Sequence, residues 1–105
     1  MHLQGGRISE IGPWNGCPDR AEADDLGEVI LIPGLVNAHC HLDYTDFAGA
    51  IPSTHSFTDW IRAMVDLKVD VDDAAHRQSW LRGAQQCLRH GITTLGNIET
   101  RLNVL

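Results

Sequence analysis

The sequence predicts an α/β fold organised around a parallel β-α-β unit. Three observations predict it. An apolar run ends in two histidines one residue apart, His39 and His41. Two amphipathic helical patterns follow between residues 56 and 91. A β-branched stretch from Ile92 to Ile98 then closes the series. Strand, helices and strand in that order make a crossover long enough to bring two strands side by side in parallel.

The totals narrow the function classes. Hydrophobic residues make up 43% and charged residues 21% of the 105, the balance of a globular chain with one modest core. Fourteen acidic against eight basic residues give a formal net charge of −6, and no Lys/Arg run is present. Nucleic acid and anionic membrane are therefore not expected partners. Cys17, Cys40 and Cys87 are odd in number and lack C-x-x-C spacing, which fits a reducing cytoplasm rather than a disulfide framework. The N-terminus has neither the basic nor the apolar region of a secretory leader. The apolar run from Val29 to Val36 is too short and too interrupted to span a bilayer.

Taken in order, the chain starts with a hairpin signal. Gly5-Gly6 supplies the two positive-φ positions of a type I′ turn, flanked by Leu3 and by Ile8 and Ile11. Residues 12–28 are rich in Gly, Pro, Asp and Asn and read as loop. Val29–Ile32 reads as a short strand, punctuated by Pro33-Gly34. Leu35–His41 resumes as an almost wholly apolar strand, the pattern of a strand buried on both faces.

Residues 43–55 read as a second loop. Ser56-Phe-Thr-Asp59 has the form of a capping box, and Phe57, Trp60, Ile61, Met64 and Val65 follow at helical spacing. Asp70–Asp73 supplies acidic residues suited to another helix start. Trp80, Leu81, Ala84, Cys87 and Leu88 continue that helix, and Gly91 stands where a terminating glycine belongs. Gly83 lies inside it and is expected to let it pack closely on a sheet. The second strand is expected over 92–98.

Side chains alternate across a strand, so His39 and His41 share a face and Cys40 points the other way. Two imidazoles at the end of a strand are half of a divalent metal site. Asp43 has the same parity; it reads either as a partner orienting an imidazole or as a loop residue past the strand end. Tyr44 is a candidate pocket residue, and Asn97 and Glu99 are candidates at the end of the second strand. His55, His76 and His90 read as structural, and Trp60, Trp80 and Met64 as core.

Four stretches carry a family resemblance. Pro33-Gly-Leu-Val-Asn-Ala-His-Cys-His-Leu-Asp43 resembles the first barrel strand of the amidohydrolase superfamily, metal-dependent hydrolases built on a (β/α)₈ barrel. Gly6-Arg-Ile-Ser-Glu-Ile-Gly12 resembles the hairpin of the small β-sandwich that precedes that barrel. Phe57-Thr-Asp-Trp-Ile61 is similar to the first helix of the deaminase and chlorohydrolase branch, and Gly91-Ile-Thr-Thr-Leu95 to the opening of the second barrel strand. Within the branch, the wording is most similar to aminodeoxyfutalosine-deaminase-type members.

The resemblance implies a partial β-sandwich over 1–32 and the N-terminal part of a barrel over 33–105. It implies that His39 and His41 bind Zn²⁺ or Fe²⁺, and that a metal-activated water attacks a C–N bond of a purine- or nucleoside-like cyclic amidine. Family members run to about 400 residues, so the chain is expected to be an N-terminal fragment, inactive alone, with no catalytic acid/base of its own. The expected partner is a small-molecule substrate, and self-association of the parent enzyme stays open. The alternative is a stand-alone α/β binding or interaction module without activity.

Overall fold

In the computed structural model, residues 1–17 and 20–102 are described. The chain divides into two compact units, Met1–Leu31 and Ile32–Leu105. The first holds an antiparallel hairpin of β1 (His2–Gln4) and β2 (Arg7–Glu10). Gly5 and Gly6 have φ of 57° and 73°, the backbone that a two-residue turn between right-twisted strands demands. The expected loop over 12–28 contains two short 3₁₀ turns, Trp14–Gly16 and Arg20–Glu22, and its positions 18 and 19 lie outside the described residues.

No strand forms over Val29–Ile32, contrary to expectation. Val29, Ile30, Leu31 and Ile32 are all exposed, and among the described residues no strand pairs with them. Local β-propensity alone does not make a strand without a ladder partner.

The second unit contains the β-α-β motif. β3 (Leu35–Cys40) pairs in parallel with β4 (Ile92–Asn97), and α1 (Phe57–Val69) and α2 (Asp73–Arg89) lie between them in sequence. Ser56 caps α1 as expected: its Oγ accepts from the Asp59 N–H at 3.2 Å, while the Asp59 carboxylate accepts from the Ser56 hydroxyl at 2.8 Å in place of the backbone N–H of a full capping box. Asp72 caps α2 by accepting from the Ala75 N–H at 2.7 Å. Gly91, with φ of 77°, turns the chain out of α2 into β4.

Two further expectations are corrected. β3 is not buried on both faces. Leu35 and Val36 are 50% and 68% exposed, in a sheet of two strands among the described residues. The stretch after His41 is not plain loop. Leu42–Phe47 winds into a 3₁₀ helix that packs tightly on α2. Gly83 serves this contact rather than one with the sheet, since a Cβ there would press on Thr45 and on the Leu42 carbonyl. Glycine aside, the buried residues among those described are Leu42, Met64, Asp43, His76 and Ser79. Three of those five are polar, so hydrogen bonding and charge pairing decide how this core holds together.

Candidate functional site

The strand period brings His39 and His41 together at the carboxyl end of β3. Their rings meet edge to face, centroids 5.2 Å apart and planes at 71°. His39 is exposed and His41 half-buried. Tyr44, one 3₁₀ turn further on, lies flat against His41 with centroids 4.6 Å apart and planes 7° from parallel. Lys68 Nζ stands 4.7 Å from the Tyr44 ring centre, so the tyrosine is held between an imidazole and an ammonium.

Asn97, at the end of β4, fixes the turn that follows the histidines. Its Oδ1 accepts from the Leu42 N–H at 2.9 Å, and the Cys40 thiol lies 3.7 Å from the same oxygen. Cys40 is half-buried, and desolvation together with the nearby Cys87 raises its thiol pKa. Asn97 is thus a structural bracket between the two strand ends, which explains why an amide closes β4 there.

Among the described residues, Asp43 makes no hydrogen bond or ion pair with either imidazole. Its Oδ2 accepts from Lys68 Nζ at 2.7 Å, and its side chain is 1% exposed. Of the two readings of Asp43, the one past the strand end is what the structure shows: the 3₁₀ turn carries it off the strand parity and into the core. Glu99 is also buried, with Oε1 accepting from the N–H groups of Thr100 (2.6 Å) and Arg101 (2.9 Å). His76 Nε2 lies 3.2 Å from that oxygen, at ion-pair distance but without hydrogen-bond alignment. Burial pushes the Glu99 carboxyl pKa up, but the two backbone N–H groups and His76 outweigh it and hold the pKa below its ordinary value.

The structure thus sorts the sequence candidates into two places. His39, His41 and Tyr44 form one group. Asp43 and Glu99 join His76, expected to be merely structural, in another. That second group was missed because its members lie 33 and 23 positions apart. The one local signal was a histidine and a carboxylate at element ends, which is common in any α/β chain.

A parallel β-α-β unit with its polar side chains gathered at the carboxyl ends of the strands defines the class as α/β. The chain belongs to the amidohydrolase family, whose model matches residues 30–103. An imidazolonepropionase of Mycolicibacterium smegmatis is 31% identical over 98 residues, covering 89% of this chain and 25% of the relative. A 5-methylthioadenosine/S-adenosylhomocysteine deaminase of Symbiobacterium thermophilum is 31% identical over 97 residues, covering 88% and 22%. A protein of the same name from Moorella thermoacetica is 26% identical over 109 residues, covering 94% and 24%. The chain spans about a quarter of the length of these curated relatives. No solved structure matches it significantly. No helix among the described residues is long and apolar enough to cross a membrane.

Proposed function

We propose that this chain forms the first two strands of a (β/α)₈-barrel hydrolase in which His39 and His41 hold a divalent metal, Zn²⁺ or Fe²⁺. The whole enzyme would deaminate a small purine- or nucleoside-like cyclic amidine. The observation that carries this reading is the histidine pair at the carboxyl end of β3, inside the stretch matched to the amidohydrolase family.

The ring geometry fits such an ion. Two imidazoles bound through nitrogen to one tetrahedral metal at about 2.1 Å have ring centres roughly 5.3 Å apart. The observed 5.2 Å is close to that spacing. The carboxyl end of parallel strands is also where α/β barrels collect their reactive groups.

A bound ion of this kind supplies an activated water near neutral pH. The residues of this chain position it. His39 and His41 would bind through neutral ring nitrogens, and Tyr44 stacked on His41 restricts rotation of that ring. Asn97 pins the backbone just after His41. The remaining ligands and the proton-transfer group would come from later strands.

The test is ammonia release by the protein encoded by the full reading frame, with 5-methylthioadenosine and S-adenosylhomocysteine as substrates. The expected result is deamination that His39→Asn and His41→Asn each abolish. Undiminished activity in both variants would remove the ligand assignment. A metal-loaded protein that releases no ammonia from these two compounds or from a panel of adenine- and guanine-type nucleosides and bases would remove the deaminase reading.

A further inference from the structure

Asp43, His76 and Glu99 reach one point in the core from three elements. Asp43 comes from the 3₁₀ turn after β3, His76 from the first turn of α2, and Glu99 from just beyond β4. One ligand atom from each lies within 4.8 Å of the others. The three side chains are 1%, 2% and 4% exposed.

The hydrogen bonds leave these groups half-satisfied. Lys68 takes Asp43 Oδ2, and backbone N–H groups take Glu99 Oε1. Asp43 Oδ1, Glu99 Oε2 and His76 Nε2 are buried without a hydrogen-bond partner. Buried polar atoms are nearly always paired, and an orphan is costly. Each of the three clustered side chains thus keeps one buried, unpartnered atom able to offer a lone pair, which calls for a single occupant that they share.

We propose that Asp43, His76 and Glu99 form a buried divalent-cation site, separate from the His39/His41 pair, with Zn²⁺ as the ion that suits it. One imidazole and two carboxylates are an ordinary donor set for zinc, whereas Mg²⁺ and Ca²⁺ favour oxygen alone. Zinc–nitrogen and zinc–oxygen distances of about 2.0–2.2 Å place neighbouring donors roughly 3–4 Å apart, within reach of small side-chain rotations here. The ion would tie the turn after β3 to α2 and to the exit of β4. Its role is to hold the strand ends, because burial denies substrate access. Lys68, on the far oxygen of Asp43, opposes the ion's charge. Removing that charge should therefore strengthen binding.

Zinc stoichiometry measured on the His39→Ala/His41→Ala variant of this chain, by equilibrium dialysis and elemental analysis, tests the site. One equivalent per chain is expected, falling to none when Asp43→Asn or His76→Asn is added. Far-UV circular dichroism identifies a variant that has unfolded. The direct measurement in the folded His39→Ala/His41→Ala chain is the ¹⁵N resonance of the His76 ring, which Zn²⁺ should shift strongly. Absence of bound zinc, an unmoved His76 resonance, or full binding after His76→Asn overturns the proposal. In the first two cases a water or a proton on His76 fills the gap instead.

Discussion

Lys68 meets Asp43 across 25 positions of sequence, its Nζ 2.7 Å from a carboxylate that is 1% exposed. The same ammonium reaches Thr100 Oγ1 at 3.0 Å, so one side chain from the end of α1 joins the turn after β3 to the segment after β4. Removing one partner of a buried pair strands the other charge. Lys68→Met in metal-free protein is expected to lower stability by about 3 kcal/mol. Urea unfolding measures this, and a loss below about 1 kcal/mol would place the pair in the class of weak surface bridges.

Asn97 gives a second stability prediction. Asn97→Ala leaves the Leu42 N–H without its acceptor in a half-buried position. The expected cost is about 1–3 kcal/mol. Amide hydrogen exchange gives the site-specific check: protection of the Leu42 amide should fall, while amides in the middle of α2 follow only the global change.

Two glycines should respond differently to alanine. Gly91 sits at φ 77° with open space around it, so Gly91→Ala costs about 1 kcal/mol from backbone strain alone. At Gly96 a Cβ would strike the backbone carbonyl of Ala38 on the paired strand. Gly96→Ala must push β3 and β4 apart, with an expected cost of about 2–3 kcal/mol. Equal urea midpoints for the two variants would contradict the close strand approach.

Acid should weaken the fold partly through Glu99. Its carboxyl pKa is held below the ordinary value of about 4.3 in the folded chain. The stabilisation is complete above the unfolded-state pKa and disappears as pH falls through the lower folded value. In EDTA-treated protein, stability is expected to decline as pH drops from about 6 toward 3. Glu99→Gln should flatten part of that slope. Parallel pH profiles for the two proteins would show that the Thr100 and Arg101 N–H groups do not favour the charged form.

Much of this chain was legible in one dimension. Gly5-Gly6 dictated a turn because few other residues tolerate two successive positive φ values. Ser56 and Asp59 marked a helix start through a hydrogen bond only three residues long, and Gly91 marked a helix end for a similar reason. The His39-x-His41 pair followed from the two-residue strand period. All of these depend on neighbours within a turn of chain.

The tertiary structure decided the rest. Val29–Ile32 has the composition of a strand and is none, since a ladder needs a partner that sequence does not supply. Asp43 left the histidines because a 3₁₀ turn intervened and Lys68 offered it a charge. His76 became a core residue facing Glu99 only when α2 packed on that turn. The histidine pair is set by local backbone geometry. The buried Asp43–His76–Glu99 group depends on desolvation and on contacts between distant elements, which exist only once the chain has closed on itself.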